Sequence, residues 1–336
     1  MDDSESCILV GYSQQDTPPP GDVGAPPESD EISDIMREVE NLRAGRGDVT
    51  PQPHLTFPLS PNNLKVLEEK FRDDWFWNEK LHWEYSGLTA EFVIKMLSQP
   101  QQVVVSSVGF NIESQFEVFR SASDDKVAKF GQDFYGIGSS HVKPCYEGLL
   151  SKRCPDLSWA HWGHSFYPGL VIEVGYSQTR KSMENRVFDY FYGSKGKIKI
   201  VISIDLKPSK KSKKASIEMW KSSVRRQGTK LEIDYKLHAT SDFRNDDGSP
   251  NLDSGVRFTL QEIAPDAPGA EGVGNCFMEI TGNKLYEALC RGEKSLAAEE
   301  RGLKEAQSIE IAPPRHLTLG RAEVMEQYPD LDYQYD

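Results

Sequence analysis

Pro168-Gly-Leu-Val-Ile-Glu-Val-Gly175 is the stretch of sequence that decides the fold. Leu170, Ile172 and Val174 fall on one side of a period of two, which is typical of a strand with one face in a hydrophobic core. Glu173 falls on the other side together with an apolar neighbour, so its carboxylate is expected to be at least half buried. A buried charge is costly unless it is paired or binds a metal. The stretch therefore predicts a strand that carries an acid with a special partner.

The segments on either side predict how this strand is surrounded. Pro155-Asp156 opens an earlier strand-like run, and turn-forming residues separate the two runs, so a hairpin would bring the carboxylates of Asp156 and Glu173 side by side. After Glu173, apolar residues at helical spacing predict a helix across 183–191, which Gly193 ends. Isoleucines alternating across 198–204 predict a further strand. The expected order is strand, strand, helix, strand, with an acid on each of the first two strands.

Over roughly residues 92–220 this pattern resembles the PD-(D/E)XK nuclease superfamily, and within it the Uma2-like restriction endonucleases and their fungal relatives. The resemblance implies an α/β (α+β) fold with a restriction-endonuclease-like core, in which helices flank a mixed central sheet. It makes Asp156 the acid of the Pro-Asp motif and Glu173 the acid of the second motif. The family pattern has Lys two residues after the second acid, where this chain has Gly175.

The chemistry of phosphodiester cleavage explains why the family uses these residue types. A Mg²⁺ or Mn²⁺ ion bound by Asp156 and Glu173 would activate water and stabilise charge on the phosphate. The family's Lys orients or deprotonates that water. Here the nearest substitutes are Gln178, Arg180 and Lys181. Gln178 could position a water, and Lys181 could take its proton if burial lowered its pKa. Glu113, on a helical pattern across 101–119, is a third candidate metal ligand, with a solvated helix acid as the alternative.

A basic segment follows in an otherwise acidic chain. The formal net charge is -13, yet residues 195–230 hold twelve lysines or arginines against two acids. Such a cluster is expected to bind the phosphates of DNA or RNA locally and without sequence preference. The candidate residues for this contact are Lys207, Lys210, Lys211, Lys213, Lys214, Arg225 and Arg226. A nuclear localisation signal and a solvated basic loop are the alternatives.

The remaining sequence predicts the domain organisation and the compartment. Residues 1–55 are acidic and rich in Pro, so they are predicted to be a disordered tail in which 32–42 has helical spacing. The nuclease-like domain is expected across 56–306, with a β extension at 230–263 that completes the sheet and a closing helix at 283–306, and an acidic mobile tail at 307–336. A dense aromatic cluster near residues 75–85 is expected to be core. Five cysteines without paired spacing, no long apolar run and no signal peptide predict an intracellular protein, cytoplasmic or nuclear, without a membrane partner.

Three functions fit these patterns. The first is a metal-dependent nuclease that uses Asp156 and Glu173. The second is a catalytically inactive protein of the nuclease fold that binds nucleic acid through its basic segment. The third is an intracellular interaction protein in which the two acids only satisfy local hydrogen-bond donors.

Overall fold

A computed structural model describes residues 30–45, 54–146, 149–175, 180–206, 212–228 and 230–307. It has an α/β fold, in which helices pack on mixed sheets. The helices are α1 (Asp30–Arg43), α2 (Pro61–Lys70), α3 (Trp75–Glu79), α4 (Gln99–Arg120), α5 (Asp125–Gln132), α6 (Arg180–Gly193), α7 (Leu260–Ile263) and α8 (Gly282–Gln307). The strands are β1 (His54–Pro58), β2 (Trp83–Ser86), β3 (Glu91–Lys95), β4 (Phe134–Gly136), β5 (Cys145–Tyr146), β6 (Leu149–Leu150), β7 (Leu157–His161), β8 (Leu170–Gly175), β9 (Ile200–Asp205), β10 (Ala215–Gln227), β11 (Lys230–Arg244), β12 (Gly255–Thr259) and β13 (Phe277–Thr281).

A six-stranded sheet with the order β11-β10-β9-β8-β7-β4 forms the centre of the fold. Strands β7 and β8 are antiparallel, with Leu157 opposite Ile172, whereas β8 and β9 are parallel. Two parallel neighbours need a crossover connection, and α6 supplies it. The predicted order of strand, strand, helix and strand is therefore confirmed.

The two faces of β8 pack against different helices. Leu170, Ile172 and Val174 belong to a core shared with α4 and α8. Val171 belongs to a second core, on the α6 side of the sheet. Glu173 shares the face of Val171 and is only 1% exposed, so the predicted burial of this acid is confirmed.

A smaller sheet with the order β1-β3-β2 lies against the centre. Aromatic residues of this sheet and of α3 form a core in which the ring centroids of Trp77 and Trp83 lie 5.7 and 5.4 Å from that of Phe92. The predicted aromatic core is confirmed for these residues. Helix α1 adds apolar side chains that are buried in the same cluster, among them Ile35 and Val39. The prediction of a continuous disordered tail over 1–55 is therefore wrong for α1, because packing on this sheet fixes a helix that would be marginal alone. Residues 1–29 and 46–53 lie outside the described part.

The C-terminal region departs from the prediction at one point. Strand β12 pairs with β13 in a separate two-stranded sheet, so residues 256–263 do not complete the central sheet as predicted. The strand ends where Thr259 and Glu262 form a capping box that starts helix α7. The predicted closing helix is confirmed as α8. Residues 308–336, nearly all of the predicted acidic tail, lie outside the described part.

Within the described ranges, none of the helices combines the length and the apolar character that crossing a bilayer requires.

The start of β8 depends on a close approach of two backbones, which gives a first prediction. A Cβ added to Gly169 would lie 2.1 Å from the carbonyl oxygen of Ile263. Gly169→Ala should therefore lower the free energy of unfolding by about 1–3 kcal/mol, measured by urea denaturation. Gly302→Ala is the control: it has open space within 4 Å and lies in helix α8, so it should be neutral or stabilise by up to about 1 kcal/mol. Equal effects of the two substitutions would contradict this account of Gly169.

Candidate functional site

The hairpin of β7 and β8 brings Asp156 and Glu173 to one point. Asp156 immediately precedes β7, and its Oδ2 accepts a hydrogen bond of 2.6 Å from the backbone N–H of Val174. Its Oδ1 lies 3.0 Å from the Nζ atom of Lys95, and Oε2 of Glu173 lies 3.3 Å from the same nitrogen. The two acids that the sequence singled out therefore share one cation.

Lys95 comes from β3 of the smaller sheet, and the sequence did not single it out. Its side chain is 3% exposed. Besides the two acids, its Nζ donates to the carbonyl oxygen of Cys154 at 2.8 Å and lies 3.4 Å from Oε1 of Glu84. Lys95 is thus an ammonium group surrounded by oxygen atoms. The only local signal is a lysine at the end of an apolar strand, and nothing in that signal connects it to an acid 61 residues further along.

Helix α6 covers Glu173 from the other side. Arg186 and Tyr190 are four residues apart and therefore lie on the same face of the helix. The Tyr190 hydroxyl donates a hydrogen bond of 2.5 Å to Oε1 of Glu173. Arg186 Nη1 lies 3.6 Å from that oxygen and donates at 2.7 Å to Glu84. Burial raises the pKa of Tyr190 well above its ordinary value, so its hydroxyl remains a donor.

A further ion pair completes what we call the acid cluster. Arg153 Nε donates to Asp189 at 2.9 Å, and its Nη1 lies 3.4 Å from Glu84. The cluster consists of the carboxylates Glu84, Asp156, Glu173 and Asp189 and the cations Lys95, Arg153 and Arg186. All seven are buried. Among the described residues, these four carboxylates face three cations, so one carboxylate has no matching positive charge there.

Burial and neighbouring charges shift the pKa values of three members of the acid cluster in different ways. Burial raises the pKa of this carboxyl group, although Lys95 and Arg186 act in the opposite direction. Burial also acts to raise the pKa of Glu84, but Arg186, Lys95 and Arg153 outweigh it and hold this pKa well below its ordinary value. For Lys95, burial lowers the pKa, whereas Asp156, Glu173 and Glu84 raise it more strongly. In this arrangement Lys95 stays protonated, and the raised pKa of Glu173 makes this carboxyl group take up a proton more readily than an ordinary one.

A cleft of about 410 Å³ adjoins the acid cluster. Arg153 and Arg186 line it together with His54, Ser182 and Asn185. Guanidinium, hydroxyl and amide groups are the donors that proteins use to bind phosphate oxygens. The cleft is therefore a route by which an anionic ligand can reach the side of the cluster.

The oxygen donors are of the kind that Mg²⁺ accepts, but they are few. The described residues contain no group of three or more His, Cys, Asp and Glu side chains placed to hold a metal ion. Mg²⁺ commonly uses one or two protein carboxylates and completes its shell with water and substrate phosphate. Asp156 and Glu173 fit such a two-carboxylate site, provided that Lys95 Nζ withdraws from between them.

Glu113, the third predicted metal ligand, lies elsewhere. Its carboxylate accepts hydrogen bonds from Trp159 Nε1 at 3.2 Å and from Arg120 at 2.6 Å. Helix α4 approaches the cluster with a different residue, Gln101, whose amide donates to the carbonyl oxygen of Val174 at 3.1 Å. Twelve residues of helix separate Gln101 from Glu113, which is about 18 Å along the axis. The prediction that Glu113 is close to the two acids is therefore wrong.

The other predicted site residues are only partly described. Gln178 lies outside the described residues, and Lys181 lies in the first turn of α6 with its side chain outside them. Lys207, Lys210 and Lys211 of the basic segment also lie outside them. Lys213 and Lys214 precede β10, whereas Arg225 and Arg226 are near its far end, roughly 36 Å away at ~3.3 Å per residue. Lys214 also pairs with Asp242 at 2.7 Å. The described basic residues thus lie at two separate places.

No protein-family model matches this chain, and a search of curated proteins also finds no match.

The buried position of Lys95 gives a second prediction. Lys95→Met leaves Asp156 and Glu173 buried without their shared cation, so it should lower the free energy of unfolding by about 3–5 kcal/mol. Combining it with Glu173→Gln should cost less than the sum of the two single changes, because the neutral amide no longer needs a cation. Arg37→Met is the matched control: its pair with Asp34 is exposed, so the change should cost at most about 0.5 kcal/mol. Additive effects of the Lys95 and Glu173 changes in urea denaturation would contradict the shared-cation arrangement.

The pH dependence of stability gives a third prediction. Burial, and then the charges of Arg186 and Lys95, lower the pKa of His54 from 6.5 to about 4. The folded protein therefore binds this proton more weakly than the unfolded chain, and stability should fall as the pH drops from 6.5 to about 4. His54→Asn should flatten this fall without removing it, because burial also lowers the pKa of His82, His141, His161 and His164. Urea denaturation across this pH range measures the effect, with His238→Asn, a change at an exposed residue, as the control. If the free energy of unfolding changed with pH equally in the wild type and in His54→Asn, the pKa of His54 would not be lowered.

Proposed function

We propose that this protein is a metal-dependent nuclease of the PD-(D/E)XK type that hydrolyses phosphodiester bonds. The observation that carries the proposal is the contact of Lys95 Nζ with both Asp156 and Glu173. The sequence lacks the family's Lys at position 175, and the fold supplies an amine to the same two acids from another strand. Two acids and an amine at one point are the groups that this chemistry needs.

The charge balance of the acid cluster supports the same function. One carboxylate is in excess over the buried cations among the described residues, and such a carboxylate must take up a proton or bind a further cation. Mg²⁺ or Mn²⁺, when bound, would supply Lewis-acid stabilisation of the phosphate and an activated water. Asp156 and Glu173 are the residues that would hold it.

The surrounding residues have distinct roles in this proposal. Lys95 offsets negative charge at the two carboxylates, and it would have to withdraw from between them for the metal ion to bind. Arg153 and Arg186 line the adjoining cleft, where their positive charge would favour a phosphodiester backbone. Tyr190 fixes one oxygen of Glu173 by its hydrogen bond and thereby orients the carboxylate.

A specific observation favours a second candidate, a protein that binds nucleic acid without cleaving it. Lys95 contacts both acids in the described arrangement, and Arg186 lies near Glu173, so the two acids are already paired with cations. A protein in which Lys95 never withdraws would keep the fold and the cleft but not the hydrolysis.

A cleavage assay with matched variants is the fourth prediction. Single-stranded and double-stranded DNA and RNA should be cut in Mg²⁺ or Mn²⁺ and left intact in chelator. Glu173→Gln and Asp156→Asn should each lower the rate by at least about a hundredfold, because each removes a metal ligand at nearly constant shape. Glu113→Gln is the matched control, since Glu113 bonds to Trp159 and Arg120, away from the cluster, and its rate should stay close to that of the wild type.

A second measurement separates the candidates. Mn²⁺ should raise the Tm of the wild type, because a ligand that binds only the folded state stabilises it, and the rise should disappear in the Asp156→Asn/Glu173→Gln variant. Cleavage that is unaffected by Glu173→Gln would reject the nuclease proposal. Salt-sensitive binding of nucleic acid without cleavage and without a Mn²⁺ effect would support the second candidate. The absence of both binding and cleavage would leave an interaction protein.

A further inference from the structure

A groove away from the acid cluster combines exposed aromatic rings with basic side chains. Two cavities of about 740 and 580 Å³ share His141 and Lys143 among their lining residues and therefore lie side by side. We call the two together the aromatic–basic groove. One half is lined by Tyr135, Trp162 and Phe166, and the other by Lys65, Arg72 and Lys152.

The aromatic half presents rings to solvent. Trp162 stacks on Tyr135 with ring centroids 4.3 Å apart and an interplanar angle of 24°, yet Trp162 is 73% exposed. Tyr135 covers one face of the indole, so the other face is accessible to a planar group. Phe166, in the same turn between β7 and β8, is 90% exposed. Large apolar side chains exposed side by side are typical of a binding surface.

The basic half carries a local positive charge in a chain whose net charge is -13. Four basic side chains, Lys65, Arg72, Lys143 and Lys152, line the groove beside two acids, Glu68 and Glu69. Lys152 pairs with Glu68, and Arg72 pairs with Glu69. No described residue pairs with the amines of Lys65 and Lys143. These two amines are therefore available to an anionic ligand.

We propose that the aromatic–basic groove binds single-stranded nucleic acid, with bases stacked on Trp162 and Phe166 and phosphates beside Lys143 and Lys65. Stacking on protein rings needs bases that are not already stacked in a duplex, so the groove should select single strands. The charge complements the phosphodiester backbone, and the rings accept any base.

The groove lies on the opposite side of β2 from the acid cluster. Trp83 lines the groove, whereas the next residue, Glu84, points into the cluster, as alternation along a strand requires. Binding in the groove therefore does not depend on metal at the acids or on cleavage. It adds a second nucleic-acid surface to the proposed function and can be tested by itself.

The test is fluorescence anisotropy with the full chain in chelator, with labelled oligothymidine and oligouridine of about twelve nucleotides and a duplex of equal length as probes. The single strands should bind more tightly than the duplex. Affinity should fall about 7- to 50-fold as salt rises from about 50 to 200 mM, as expected for two to four phosphate contacts. The DNA and RNA probes show which backbone the groove prefers.

Matched variants locate the binding. Trp162→Ala/Phe166→Ala should weaken binding of the single strands at least about tenfold, since each stacked base contributes about fivefold or more in affinity. Lys65→Ala/Lys143→Ala should weaken binding and reduce its salt dependence. Phe110→Ala is the control, because Phe110 is equally apolar and 77% exposed but lies on α4 outside the groove. Equal Tm values for the variants and the wild type confirm that folding is intact.

Three outcomes would overturn the proposal. One is unchanged single-strand affinity in the Trp162→Ala/Phe166→Ala variant. Another is a loss of single-strand affinity that only Arg225→Ala/Arg226→Ala causes, which would place the binding site on β10. The third is no binding of either single strand by the wild type, which would leave the groove to a protein partner.

Discussion

The contact of Lys95 with Asp156 and Glu173 joins two sheets that otherwise have separate hydrophobic cores. Lys95 belongs to the smaller sheet, and the acids belong to the central sheet. Removing an ion from water costs several kcal/mol, and this cost is repaid only if the opposite charges and hydrogen bonds are in place. The cation and the acids therefore need each other. Each sheet carries charges that would be unfavourable if the other sheet were absent.

The same constraint explains why the interior around β8 is so polar. One buried lysine could neutralise one acid, but Glu84, Asp156 and Glu173 all contact Lys95. Arg186 and Arg153 offset part of the remaining negative charge. Replacing a buried ion cluster by apolar residues of the same volume is often neutral or stabilising. A cluster of this kind therefore adds little to stability by itself, and the hydrolysis proposed above would give it a role.

Sequence patterns predicted the parts of the fold that depend on nearby residues. Alternating apolar residues predicted β8 and β9, and apolar residues at helical spacing predicted α4 and α6. The turn-forming residues between Asp156 and Glu173 predicted the hairpin that brings the two acids together. Partners remote in sequence were not predictable, because one sequence contains no signal that connects Lys95 to an acid 78 residues away. The same reason accounts for β12, whose alternation predicted a strand but could not show which sheet it joins. Glu113 was misplaced because helical spacing shows which face a residue is on, but not how far along the helix the site lies.

The two outer strands of the central sheet protect its free hydrogen-bonding groups in different ways. Strand β4, at one end, has only three residues, which is too short to template a partner strand. Strand β11, at the other end, is long, but it exposes the charged residues Glu232, Asp234 and Lys236 in its outer part. A second chain that tried to extend the sheet there would have to desolvate these charges. The architecture thus opposes self-association through the edges of the central sheet, even though β11 is fifteen residues long.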